Sequence, residues 1–240
     1  MKKGTILILG ATSSIARAAA FEWAKRGHPL LLASRDKREL ARIASDINIR
    51  FDVPCEARYF DAIDTDSHSS FFESLEKTFD GALVAFGLLG KQTTFEEQHR
   101  QIAVNYLGAV SSLTHLSALF SKQKKGFIVG ISSVAGDRGR QSNYVYGSAK
   151  GALSIYLDGL RNKLHPFGVH VMTVKLGFVD TAMTFGMPRL FLVAHPEDVG
   201  KQIVKAIDKK KNVVYIPCFW KWVMMIIKAI PETLFKRLKL

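Results

Sequence analysis

Tyr146 and Lys150 stand four residues apart in Tyr146-Gly147-Ser148-Ala149-Lys150. On a helix, positions i and i+4 share a face, so a phenol and an ammonium project together. A phenol is a poor proton donor at neutral pH, its ordinary pKa being about 10. A fixed cation beside it stabilises the phenolate and brings that pKa down. The hydroxyl can then give a proton to an oxygen that gains charge during a reaction. Ser133, thirteen residues earlier, offers a second hydroxyl able to bond the same oxygen and stabilise a developing alkoxide. Asn105, in Val104-Asn105-Tyr106, is a poor helix residue. Its amide reads either as a satisfied core group or as the seat of a water linking Lys150 to solvent.

A second constellation sits near the N-terminus. Gly10-Ala11-Thr12-Ser13-Ser14-Ile15-Ala16 follows a short apolar run and opens an Ala-rich helix. Such a turn aims backbone N–H groups and a helix N-terminus at a pyrophosphate. The glycine pattern is degenerate, with Ser14 and Ala16 where further glycines would stand; both are small enough for close backbone approach. Ser34-Arg35 ends the second apolar run. An acid there suits an unphosphorylated ribose and an Arg suits a 2′-phosphate. Asp36 follows, so NADP is favoured over NAD without a clean choice, and Arg35 also reads as an ordinary solvated residue. Asp61-Ala62 ends the third run, either beside an adenine or as a turn acid. Ala85-Phe86-Gly87 ends the fourth, where Gly87 would let the chain pass beneath a cofactor.

These residues need a scaffold, and the apolar pattern supplies one. Strands are expected at 5–9, 30–33, 57–60, 82–86, 127–131, 170–175 and 213–216. Helices are expected at 14–26, 36–46, 66–79, 96–121, 144–164 and 196–208. Strands alternating with helices imply right-handed βαβ crossovers. The expected fold is a single α/β, Rossmann-type, doubly wound parallel sheet with helices on both faces, over 1–215. Residues 216–240 form a basic amphipathic C-terminal tail.

The 240 residues carry a net charge of +13, of which +8 lies in residues 200–240. That asymmetry points to an anionic partner. Nucleic acid is disfavoured, because the basic residues interleave with large apolar ones rather than with polar contacts. Two cysteines make a disulfide framework unlikely and a reducing compartment the default. The N-terminal apolar run reads as a strand and not as a signal peptide. No metal site is assigned.

Taken together, Gly10 to Ala16, Asn105, Ser133 and Tyr146 to Lys150 resemble the classical short-chain dehydrogenases/reductases over essentially the whole chain. The resemblance implies an NAD(P)-dependent oxidoreductase in which Ser133 orients a carbonyl and Tyr146 donates the proton. Lys150 would tune the tyrosine and hold the nicotinamide ribose, and Asn105 would carry the proton-relay water. Gly10, Thr12, Ser13, Ser14, Ile15, Ser34, Arg35, Asp61, Ala62, Ala85, Gly87, Tyr146 and Lys150 would meet the cofactor. Lys175-Leu176-Gly177-Phe178-Val179-Asp180-Thr181 is similar to the family's nicotinamide-side loop, with Leu176 in place of the usual proline. Val179 and Thr181 would then meet the carboxamide.

A narrower resemblance runs through residues 60–68, 84–90 and 132–136, and through Trp222-Val223-Met224-Met225 and Ile230-Pro231-Glu232-Thr233-Leu234-Phe235. These segments are similar to the reductase partners of decaprenylphosphoryl-ribose epimerases. That implies reduction of a polyprenyl-phosphate-linked 2-keto pentofuranose in envelope glycan synthesis, the ketone being made by a flavin-dependent oxidase. The run 223–227 is far shorter than the ~20 apolar residues that span a bilayer. Tryptophans flanked by lysines suit a headgroup boundary, so the tail is expected on the inner face of the plasma membrane of a cytoplasmic enzyme. The alternatives are a core-packing tail or one forming a homo-oligomer. Residues 178–193, with Met183, Phe185, Met187, Leu190, Phe191 and Leu192, would line a prenyl groove or merely pack a lid. A soluble reductase of another hydrophobic ketone and a catalytically idle nucleotide sensor are the competing functions.

Overall fold

In the first strand, β1 (Thr5–Leu9), Ile6 and Ile8 point to one face and Leu7 and Leu9 to the other. All four are fully buried, as a strand covered on both sides requires. The same logic builds β2 (Leu30–Ser34), β4 (Phe79–Val84), β5 (Phe127–Ser133) and β6 (His170–Leu176), while β3 (Cys55–Tyr59) and β7 (Val213–Ile216) are partly exposed edge strands. The computed structural model describes residues 3–75, 77–186 and 192–238. Its seven strands form one parallel sheet in the order β3-β2-β1-β4-β5-β6-β7. The order reverses between β1 and β4, and the crevice at such a switch point is where α/β sheets hold ligands.

One face is covered by α1 (Ser14–Lys25), α2 (Lys37–Phe51) and α7 (Pro196–Asp208), which bring Trp23, Ile43 and Ile203 onto Ile6 and Ile8. The other is covered by α3 (His68–Glu73), α5 (Gly108–Gln123) and α6 (Tyr144–Leu164), which bring Phe72, Leu113 and Leu157 onto Leu7 and Leu9. Each such side chain contributes about 1.5–3 kcal/mol through burial. The single doubly wound sheet expected from the sequence is therefore the fold.

Three expectations are corrected. The helix expected over 66–79 is a 3-10 turn, Thr65–Ser67, followed by the short α3. Phe79 starts β4 instead, because its fully buried ring belongs to the sheet and its backbone pairs with Thr5. The long helix over 96–121 is divided into α4 (Phe95–Ile102), a π turn at Ala103–Leu107, and α5. The Asn105 amide donates to Gln101 O at 2.8 Å and to Leu88 O at 2.6 Å, inserting a side chain into the helical ladder. The helix expected to end at 46 runs on to Phe51, since Ile47 is buried on the apolar stripe.

The C-terminal segment folds back on the molecule. After the cis peptide Ile216-Pro217 come α8 (Trp220–Ala229) and α9 (Glu232–Phe235). Trp220 and Met224 join Val134 in a small third core, flanked by Phe178 and Tyr215. A Cβ on Gly177 would overlap the Trp220 indole, so glycine is required under that ring. The opposite face of α8 exposes Trp222, Met225 and Ile226. One helix thus holds both a core-packing face and an open apolar face.

Candidate active site

The cleft opens at the carboxyl ends of β1, β2 and β4. Gly10 leaves β1 with φ +81°, and a Cβ there would stand 2.5 Å from Phe86 N. Only glycine permits this approach. Ser13 then caps α1, its Oγ accepting from Ala16 N–H at 3.1 Å, and the Thr12 and Ser34 hydroxyls hydrogen-bond at 2.9 Å. A cavity of about 210 Å³ lies above, lined by Gly10, Thr12, Ser13, Ser34, Arg35, Asp61, Ala62 and Gly87. Phe60, Ile63, Phe86, Leu88, Arg100 and Val104 complete it. Close backbone approach beside a helix N-terminus is what a dinucleotide pyrophosphate needs, so these residues fit one.

Asp36 does not line the cleft. Its carboxylate caps α2, accepting from Arg38 N–H at 3.1 Å and Glu39 N–H at 3.0 Å. Arg35 is therefore the charged group at the end of β2. Asp61 lines the cleft, and one of its oxygens also accepts from Ile63 N–H at 3.1 Å as a turn acid does. Behind it, buried His68 bonds Asp61 O at 2.9 Å and Ser111 Oγ at 2.8 Å while stacking on Phe60. Burial holds the His68 pKa below its ordinary value, more than offsetting the Asp61 carbonyl.

Not every expected cofactor residue converges here. Ser14 and Thr181 line a separate groove of about 820 Å³ outside α1, together with Arg17. Ile15 packs on the core, Ala85 is buried with its N–H on Leu9 O, and Val179 is buried in a bridge to Ala194. Arg100 was not anticipated. It sits on a polar helix, Phe95–Ile102, whose composition reads as solvated, and only its position one turn before Val104 marks it.

The second cluster rises from β5 and α6. Ser133 is the last residue of β5; its Oγ accepts from Ala135 N–H at 3.1 Å and donates to Leu176 O at 3.3 Å. The neighbouring Ser132 Oγ bonds Lys150 O and Ser154 Oγ at 2.9 and 2.8 Å, fixing α6 against the strand. Glycines allow the contact: a Cβ on Gly147 would reach 2.7 Å from Ala135 O. This register brings the Tyr146 hydroxyl near enough to Ser133 for that side chain to lower the phenol's pKa, against its burial. It also places Lys150 Nζ 5.8 Å from the Tyr146 ring centre, where it donates to Ile131 O at 3.0 Å. Both Asn105 Oδ1 and Lys150 Nζ lie beside Gly87, 3.1 and 3.5 Å from where its Cβ would stand.

The electrostatics depart from the sequence argument. Burial pushes the Tyr146 phenol up to about 12, with only the Ser133 side chain opposing it. Burial also brings the Lys150 ammonium down to about 8. The phenol therefore remains protonated and suited to donate a proton rather than take one. Asn105 likewise differs from a free amide. Besides its two donor bonds, its Oδ1 accepts from Leu88 N–H at 3.1 Å, so the side chain clamps the loop after β4.

On the open side, Met183 Cε lies 3.8 Å from the position of a Gly87 Cβ, while Phe185 and Leu192 are exposed. Met187, Leu190 and Phe191 of the expected prenyl groove lie outside the described residues.

A parallel sheet with this strand order, a glycine turn into α1 and a Ser–Tyr–Lys cluster at the strand ends define an NAD(P)-dependent oxidoreductase. Residues 4–188 match the family described as short chain dehydrogenase. The chain is 34% identical over 240 residues to an uncharacterized oxidoreductase of Mycobacterium tuberculosis, covering 97% of this chain and 96% of the other. The chain belongs to the short-chain dehydrogenase family. A short-chain dehydrogenase from Sphingobium yanoikuyae in complex with NADPH has a TM-score of 0.82 at 23% identity, covering 95% of this chain and 97% of that one. A 7beta-hydroxysteroid dehydrogenase has a TM-score of 0.86 at 22% identity, covering 99% and 97%.

Proposed function

We propose that the protein reduces a ketone on a lipid-linked sugar, using NADPH at the cytoplasmic face of a membrane. The observation that carries the reduction is the meeting of Ser133, Tyr146 and Lys150 beside a cleft that Arg35 borders with no ion pair among the described residues. Arg35 offers a planar cation to a ribose 2′-phosphate, and the acid that would oppose it, Asp36, is engaged as a helix cap. The bound reduced nicotinamide would supply two electrons as a hydride to the carbonyl carbon. The Tyr146 phenol gives its proton to the carbonyl oxygen. Ser133 Oγ exchanges its long bond to Leu176 O for one to that oxygen. The Lys150 ammonium stabilises the phenolate that is left, and Asn105 holds the backbone at Gly87 and Leu88.

The lipid-linked 2-keto pentofuranose rests on the resemblance of residues 60–68, 84–90, 132–136 and the C-terminal segment to one branch of the family. Supporting it is the open face of α8, where Trp222, Met225 and Ile226 stand with Lys221 and Lys228. Such a face suits an anionic headgroup layer. A flavin-dependent oxidase would supply the ketone. Deleting everything after Pro217 cannot test the membrane, because it also strips Trp220 from Gly177. Serines at Trp222 and Ile226 do test it. The double variant should lose sedimentation with anionic vesicles and keep turnover of a short soluble ketone. Unchanged sedimentation would reject the membrane reading.

A second reading is reduction of another bulky hydrophobic ketone. The approach of apolar Met183 to Gly87 and the fold similarity to a 7beta-hydroxysteroid dehydrogenase favour it. Following NADPH absorbance with a polyprenyl-phosphate keto-pentose against a steroid ketone separates the two. Oxidation with the sugar substrate only is the expected result.

A further inference from the structure

The loop between Ser133 and Tyr146 is held from two sides. Asp137, its carboxylate buried, receives Lys175 Nζ at 2.5 Å and the Tyr215 hydroxyl at 2.7 Å, which ties the loop to β6 and β7. The next residue, Arg138, turns the other way, onto the C-terminal helices. Its Nη1 donates to Ile227 O at 2.6 Å, Lys228 O at 3.2 Å and Ile230 O at 2.7 Å. Those carbonyls are at or just beyond the end of α8, where a cation also meets the helix dipole favourably. Nη2 donates to Glu232 Oε2 at 3.1 Å, and the guanidinium lies 3.6 Å over the Phe235 ring. Arg140 adds a contact to Met224 Sδ at 3.2 Å and one to Val134 O at 3.4 Å.

A solvated surface arginine does not bond three carbonyls, a carboxylate and a ring at once. We propose that Arg138 is a positioning residue: it clamps α8 and α9 to the loop that carries Ser133 at one end and Tyr146 at the other. The alignment of the two hydroxyls then depends on how the C-terminal helices are seated. The proposal rests on the catalytic reading of Ser133 and Tyr146, but the clamp itself can be tested without it. Only a planar, forked cation bonds the carbonyls and stacks on Phe235, so lysine is a poor replacement.

The experiment compares amide hydrogen exchange, NADPH binding and ketone turnover in the full-length chain and its Arg138→Ala, Arg138→Lys and Phe235→Leu variants. Losing a charge-assisted cluster should raise exchange about tenfold or more in 134–143 and 220–235 of Arg138→Ala, leaving β1 and α1 unchanged. NADPH affinity should stay within about twofold, while kcat falls about tenfold or more, since the adenosine cleft lies on other elements. Added guanidinium ion should restore part of that turnover, which a general loss of folding would not allow. Arg138→Lys should fall between, and Phe235→Leu should show a smaller change even if Arg138→Ala does not fold. Exchange that rises in 220–235 but not in 134–143 overturns the clamp, as does loosening of both with unchanged kcat. If the unaltered protein turns over no ketone, the exchange result still decides the clamp, and the failure falls on the functional reading.

Discussion

Over the carboxyl end of β2, Arg35 is exposed, and Arg100 lines the same cleft from α4. Neither enters an ion pair among the described residues. Over β5 and β6 the candidate catalytic and positioning groups are engaged: Ser133 with Ala135 and Leu176; Lys150 with Ile131; Asn105 with Leu88 and Gln101; Arg138 with the C-terminal helices. On the proposed reading, this adenosine end holds charge in reserve for a charged ligand, which brings its own counter-charge. The catalytic end is preorganised, because a reacting oxygen gains charge only in the transition state and rewards groups already fixed in place. Changes at the first end should therefore move cofactor affinity, and changes at the second should move turnover or stability.

The largest expected effect falls at the catalytic end. Tyr146→Phe removes the proton donor and should cut kcat by at least about a hundredfold, with NADPH binding retained. Steady-state rates beside a fluorescence titration check this, and a near-normal rate would end the catalytic assignment. Trp220→Ala empties the small core under Gly177 and should cost about 3–5 kcal/mol, read as a lower denaturant midpoint. A shift as small as that of a surface residue would mean the C-terminal helix is only loosely docked.

Arg35→Ala should raise KM for NADPH by about tenfold to a hundredfold, the scale of a charge-assisted contact, and leave KM for NADH unchanged. Equal effects on both cofactors would break the comparison at its adenosine end. A pH profile sharpens the other end. Lys150, brought down to about 8, is charged below that value and neutral above it. Reduction should then slow as pH rises through about 8, because the phenolate loses its cation. Measured in Lys150→Met, the remaining activity should lack that limb. The smallest effect is expected for Gly87→Ala, where the new methyl presses on Asn105 Oδ1 at 3.1 Å. A severalfold lower kcat, of order 1 kcal/mol, is expected from so slight a displacement. If kcat held and NADPH affinity fell instead, Gly87 would belong to the adenosine end.

Much of this was legible in the residues themselves. Alternating apolar runs and helical stripes gave the strand and helix sequence, because burial on both faces leaves a local pattern with its own period. Spacing gave Tyr146 and Lys150 a common helix face, and a glycine after the first strand marked the nucleotide turn. What local pattern could not supply was anything set by contacts distant along the chain. Phe79 belongs to a strand because it pairs with Thr5. Asn105 sits in a π turn because Leu88 takes its amide. Gly177 is glycine because Trp220 packs on it from 43 positions further on.

The sequence by itself determined the doubly wound sheet and the side chains brought to its edge, since periodicity, turn chemistry and residue type are local properties. Only the tertiary structure decided which charges stay open and which are engaged. Burial there raises the phenol's pKa, and the C-terminal helices are seated on Arg138. Desolvation and long-range hydrogen bonds depend on what surrounds a group in space, and no spacing along the chain encodes that.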